Sequence, residues 1–268
     1  MLKFYSKSSS RVLLHNNNSK INFFNHHSGN SSLFTRFFAH SSLSSKLSDP
    51  SLFQESNYVN GSWISSSSGL TSSVYNPSTG DLIGKIPNMN NNDTNTAISH
   101  AHNAFLQWRV LTGKQRGDYI RKWFNLMMAA DKDLAKIMTT EQGKPLNEAL
   151  GEIHYAAGFL ELYAEEASRI YGELIPSTST SNRIMVIRQP VGVVGAITPW
   201  NFPAAMITRK VAAGMAAGCT VVLKPAETTP YTALALCQLA HRAGIPKGVI
   251  NVITGEYIHT TCSNLVLT

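Results

Sequence analysis

Residues 189–227 constrain the fold more than any other stretch of this chain. Residues 191–198 form a short apolar run rich in β-branched side chains, the composition of a parallel strand buried on both faces, and Pro199 ends it. Pro203 suits the first turn of a helix, where a missing N–H costs nothing. Residues 206–217 then supply small and apolar side chains to pack on a sheet, and Gly218 closes the helix. Residues 220–223 are a second β-branched run. It leaves Lys224 and Glu227 at its carboxyl end, the edge at which open α/β sheets bind ligands. An apolar-striped helix over 231–243 and a third buried strand over 248–254 follow. The order β-α-β-α-β is one mononucleotide-binding half of a doubly wound parallel sheet.

Upstream, residues 58–64 and 73–75 read as short strands joined by a serine turn at 65–69, and residues 76–80 carry strong turn chemistry. The polar loop 88–92 leads to Asp93 or Thr94 as cap of a first helix, striped by Ala97, Ala101, Ala104, Phe105 and Trp108. A second helix carries Tyr119, Ile120, Trp123, Leu126, Met127 and Ala130. A third spans 132–141 and stops at Gly143 and Pro145. The longest runs from 146 to 171, with Leu146, Leu150, Ile153, Ala157, Leu160, Ala164 and Ala167 inward, and Gly172 terminates it. Residues 177–182 make a polar hairpin tip and 184–187 a returning strand; the pattern by itself favours a hairpin packed on its own domain.

Charge is distributed unevenly. The first 48 residues hold six Lys or Arg, four His and thirteen Ser with no acidic residue, whereas the other 220 carry 17 basic and 16 acidic groups. The net charge of +7 therefore belongs to the leader, and a basic nucleic-acid-binding surface is not implied. An acid-free, Ser- and Arg-bearing start fits a mitochondrial transit peptide cleaved between about Phe38 and Gln54, and a matrix location; a disordered polar tail is the alternative. The longest uncharged apolar run, 211–223, is too short to span a bilayer. Cys219, Cys237 and Cys262 have no metal-ligand spacing, so no metal is expected and Cys219 and Cys237 read as core.

The segments Pro-Trp-Asn-Phe-Pro (199–203), Ala-Met-Ile-Thr-Arg-Lys-Val (205–211) and Ala-Gly-Cys-Thr-Val-Val-Leu-Lys-Pro-Ala-Glu (217–227) resemble the aldehyde dehydrogenase superfamily, and within it most nearly the mitochondrial succinate-semialdehyde dehydrogenases. The resemblance also covers 58–63, 75–80, 140–146 and 243–255, and stops there. It implies an incomplete Rossmann-like sheet preceded by helices and a hairpin arm. The implied divisions are a leader (1–50), a helical part of the cofactor domain (51–171), an arm that pairs subunits (172–190), the Rossmann-like half (191–255) and a divergent tail (256–268).

Gly192 and Gly195 do not form the usual GxGxxG dinucleotide fingerprint, so the cofactor site rests on the resemblance. It implies that Lys224 and Glu227 hold the adenosine ribose. Thr198, Pro199 and Trp200 approach the cofactor, with Pro225 and Ala226 in the same loop. A carboxylate accepts from both ribose hydroxyls and repels a 2′-phosphate, so Glu227 favours NAD over NADP. Asn201 is implied as donor to the developing oxyanion, and Arg209 as the fork for the substrate's far carboxylate. Taken alone, each has a structural alternative: an exposed loop pair, a turn asparagine, a core tryptophan, a solvated helix charge. The family's Glu-Leu-Gly-Gly base, Gly-Gln-x-Cys nucleophile and Phe-Thr-Gly-Ser turn do not occur, and Cys262 matches none of these contexts. The expectation is a truncated semialdehyde dehydrogenase, inactive alone, that self-associates or joins full-length subunits. The alternatives are a non-catalytic cofactor-binding or assembly module, or a dehydrogenase for another semialdehyde such as glutarate semialdehyde.

Overall fold

In the computed structural model, which describes residues 43–255, the chain enters through two short 3-10 helices, Leu43–Lys46 and Pro50–Leu52. Leu43, Leu47 and Leu52 are buried, and the amides of Ser48 and Asp49 donate to the Asp133 carboxylate at 3.0 and 2.8 Å. Residues 43–50, expected as the end of the leader, thus pack on the rest of the chain. The rest of the expected transit segment, the tail 256–268 and Cys262 lie outside the described residues.

Residues 58–64, expected as one strand, are a hairpin of β1 (Asn57–Val59) and β2 (Ser62–Ile64). Asn60 and Gly61 both take positive φ, 51° and 81°, the two-residue turn that matches strand twist. Next, β3 (Thr71–Tyr75) pairs with β4 (Leu82–Pro87). The sequence gives no sign of β4 because Leu82, Ile83 and Ile86 do not alternate. Helix α1 (Asn91–Trp108) is capped by Asn90, not by Asp93 or Thr94. The Asn90 side chain accepts from the amides of Asn92 and Asp93, and Asp93 accepts in return from the Asn90 amide. Helices α2 (Gly113–Ala129) and α3 (Asp131–Gln142) follow, the latter closed by Gly143 in the left-handed region.

Helix α4 (Leu146–Glu166) stops short of the expected Tyr171. Its end packs against the start of α2, where Gly113 and Gly117 let the carbonyl oxygens of Ala167 and Ala164 approach to within 2.2 and 2.5 Å of where a Cβ would sit. Leu146, expected inward, is exposed in the first turn. Strands β5 (Glu173–Ile175) and β6 (Ile184–Val186) form a separate hairpin exposed at every position, so it does not pack on its own domain.

The remaining elements are the expected crossovers: β7 (Val193–Ile197), α5 (Ala205–Ala217), β8 (Thr220–Lys224), α6 (Pro230–Arg242) and β9 (Ile250–Val252). The main sheet has the order β2-β1-β9-β8-β7, parallel across β7, β8 and β9, with β1 antiparallel beside β9. Strands β8 and β9 are buried throughout. Strand β7 is not: among the described residues it lies at the sheet edge, Ala196 is its single buried residue, and the expectation of burial on both faces is not met there. Helices α2 and α4 pack on α5. The indoles of Trp108 and Trp123 are buried with their N–H groups donated to the carbonyls of Met215 and Leu236 at 3.1 and 3.0 Å.

Candidate active site

Strands β7 and β8 end together. The Thr198 amide donates to the Lys224 carbonyl at 3.1 Å, which brings the turn after β7 beside the loop after β8. The Lys224 side chain is 6% exposed and that of Glu227 52%, and their charged atoms stand 3.7 Å apart. At that separation the charges attract without closing a hydrogen bond. Donor capacity on Lys224 and acceptor capacity on Glu227 remain for a third group, and a vicinal diol can engage one of each. The pair fits the ribose that the resemblance implies. Pro225 is buried and Ala226 half-buried beneath it, while Pro199 is exposed and Trp200 is 57% exposed on the neighbouring turn.

The N-terminus of a helix after a parallel strand is the usual seat for a dinucleotide's pyrophosphate. Both such termini carry an internal carboxyl group instead. At α5 the Glu152 carboxylate, from α4, accepts from the amides of Ala204 and Ala205 at 2.9 and 3.3 Å. At α6 the Glu141 carboxylate, from α3, accepts from those of Tyr231 and Thr232 at 2.6 and 2.8 Å. Burial pushes the Glu141 carboxyl up to about 7, against the pull of those hydrogen bonds. The opposite end of α5 receives a cation: Arg116 Nε donates to the Ala216 carbonyl at 3.0 Å, so both ends of the helix dipole are compensated from within the chain. Phosphate docking at these two termini is blocked, in keeping with the missing GxGxxG pattern.

Asn201 is exposed on the turn between β7 and α5, with its own carbonyl held at 3.2 Å by Lys144 Nζ. Arg209, one turn into α5, is caged by α4. Its guanidinium lies 4.8 Å from the Phe159 ring centre and 5.8 Å from that of Tyr155, and it donates to the Tyr155 hydroxyl at 2.9 Å. Its Nε is buried without a hydrogen-bond partner. Among the described residues neither Arg209 nor Lys210 forms an ion pair. Lys210 donates to the Ile197 carbonyl at 3.1 Å, and burial and the Arg209 charge lower its pKa. Two adjacent, uncompensated cations make this corner of the edge suited to an anion.

The structure thus joins Thr198 to Lys224 and Lys224 to Glu227, anchors Asn201 through Lys144, and sets Arg209 against α4. Sequence reasoning missed Glu141, Glu152, Lys144, Tyr155 and Phe159, whose contacts with the turn and with α5 and α6 reach across 50 to 91 residues. Cys219 and Cys237 are buried, and desolvation raises the Cys237 thiol. Among the described residues no group of His, Cys, Asp and Glu is placed to hold a metal, and no helix is long and apolar enough to cross a membrane.

This architecture has relatives. The chain is 57% identical over 211 residues to a glutarate-semialdehyde dehydrogenase of Pseudomonas putida, covering 79% of this chain and 44% of that one. It is 49% identical over 215 residues to a mitochondrial succinate-semialdehyde dehydrogenase of Arabidopsis thaliana, covering 80% and 41%. A crystal structure described as an E. coli NADP dependent enzyme superposes with a TM-score of 0.79 at 54% identity, over 80% of this chain and 44% of that one. The chain therefore spans less than half the length of the relatives it matches. The model of the aldehyde dehydrogenase family matches residues 63–266, running past Gly255, where the quoted motifs end. With that match over most of its length, and with the fold that goes with it, the chain belongs to the aldehyde dehydrogenase family.

Proposed function

We propose that this chain carries the cofactor-ribose and substrate-orienting part of an NAD-dependent dehydrogenase that oxidises a carboxylate-bearing semialdehyde, with succinate semialdehyde as substrate and succinate as product. The observation that carries the reading is Arg209: an uncompensated guanidinium with an unpartnered buried Nε, aimed by two aromatic rings and sited on the first helix after the Asn201 turn. A planar fork of this kind recognises a carboxylate. Glutarate semialdehyde presents the same group one methylene further on, and the Pseudomonas putida relative named for it makes it the second reading.

In this reading Lys224 and Glu227 grip the ribose, Glu227 disfavours a 2′-phosphate, and the backbone of Thr198 and Pro199 and the ring of Trp200 border the cofactor. The cofactor supplies the hydride acceptor. Asn201 donates its amide N–H to the oxygen that becomes anionic during attack on the aldehyde, an interaction worth on the order of 100- to 1000-fold in rate. The attacking thiolate and its general base are not contributed by these residues. Import into the mitochondrial matrix rests on the basic, acid-free leader and on the mitochondrial Arabidopsis relative. Pairing with a second copy or a longer subunit rests on the exposed β5–β6 hairpin with its outward Leu174 and Met185.

Protein-observed NMR titration of the full chain with succinate semialdehyde, glutarate semialdehyde and uncharged butanal tests the reading. Both acids are expected to shift resonances around Arg209, with succinate semialdehyde the tighter, and Arg209→Leu is expected to abolish the preference over butanal. Equal responses to butanal and the acids would remove the proposal.

A further inference from the structure

Lys144 and Glu152 enter neither the sequence reading nor the ligand contacts above, yet they hold one of its residues. The Glu152 side chain is 2% exposed and that of Lys144 12%. One carboxylate oxygen accepts from the amides of Ala204 and Ala205, and the other takes the Lys144 ammonium. The same ammonium donates to the Asn201 carbonyl at 3.2 Å and lies 4.5 Å from the centre of the Phe202 ring. A single ion pair therefore grips the turn on both sides of Pro203.

Elsewhere the turn is sparsely held. Thr198 is tied to β8 through its amide, and Phe202 and Ala204 accept within the start of α5. From Pro199 to Phe202, the hydrogen bond that links the turn to an element other than α5 among the described residues is the one from Lys144. Removing a buried ion pair from water costs several kcal/mol per ion, and well-packed apolar residues of similar volume serve stability as well or better. Stability is a poor account of this pair, whereas a fixed geometry at the exposed Asn201 is a good one.

We propose that Lys144 and Glu152 are positioning residues for Asn201. By clamping its carbonyl on one side and the amides of Ala204 and Ala205 on the other, they fix where its side-chain amide can donate. The inference rests on the functional reading in which that amide meets the aldehyde oxygen.

The test uses the full chain, the side-chain amide resonance of Asn201 and succinate semialdehyde as probe. In the wild type the aldehyde is expected to shift this resonance. Lys144→Met is expected to lose the shift and to speed backbone amide exchange over residues 200–205 by roughly tenfold while α6 stays protected. Lys144→Arg, which can still reach both carboxylate and carbonyl, is expected to restore both. Glu152→Gln, which keeps an acceptor for α5 but releases the lysine, is expected to behave as Lys144→Met and guards against a folding failure in one variant. A wild-type shift that persists in Lys144→Met, with exchange unchanged, would overturn the positioning role alone. No shift in the wild type would overturn it together with the functional reading.

Discussion

Strands β7 and β8 lie side by side in register, from Val193 opposite Thr220 to Ile197 opposite Lys224, and are built from the same kinds of residue. They differ in what they meet. Among the described residues, strand β8 is flanked on both sides and buried at every position, with Lys224 still buried at its end; β7 is flanked on one side and leaves Ile197 49% exposed, followed by exposed Trp200, Asn201 and Phe202. Composition sets the capacity to form a buried strand, and neighbours decide whether it is used. The division has a functional consequence. The buried central strand carries Lys224 at its end, with Glu227 in the loop that follows, and β7 leads into an exposed turn held by the Lys144–Glu152 pair.

Truncation at equivalent depths along the two strands tests this contrast with the largest expected effect. Leu223→Ala should cost about 2–5 kcal/mol, because a fully packed site cannot collapse around the lost methyl groups. Ile197→Ala should cost under about 1 kcal/mol. Urea unfolding of the full chain measures both, and equal losses would show that β7 is as much a part of the core as β8.

A second, smaller effect lies at the cap of α6. Glu141 has its folded pKa raised by burial from 4.5 to about 7. Between those values the folded chain holds a proton that the unfolded chain has released, so stability falls as pH rises through this window and is flat above it. The full interval corresponds to at most about 3 kcal/mol. Glu141→Gln removes the titration, so its stability relative to wild type should improve by up to that amount between pH 5 and pH 8. A gap independent of pH would place the titration elsewhere.

Much of this was legible in the residues. The crossovers declared themselves through β-branched runs, Pro199, Pro203 and Gly218, because these signals act within a few residues of where they stand. The hairpin at Asn60–Gly61 is equally local, an Asn-Gly turn with positive φ at both residues inside what otherwise reads as a continuous strand. The edge position of β7, the end of α4 at Glu166 and the burial of Leu43 and Leu47 were not legible, since each depends on an element far along the chain: the sheet order, the glycines of α2, and Asp133. The site divides the same way. Lys224, Glu227, Asn201 and Arg209 sit in contiguous motifs, whereas Glu141, Glu152 and Tyr155 become visible only once folding brings them to the ends of α5 and α6.

The proposed ribose site at the carboxyl edge of β8 rests on Lys224 and Glu227. Calorimetric titration of the full chain with NAD and with NADP, repeated on Glu227→Gln, tests it most directly. NAD is expected to bind at least about tenfold more tightly than NADP, a preference that shrinks by roughly tenfold when the carboxylate is neutralised, equivalent to about 1.4 kcal/mol. Equal affinity for the two cofactors in the wild type, or a preference untouched by Glu227→Gln, would contradict it.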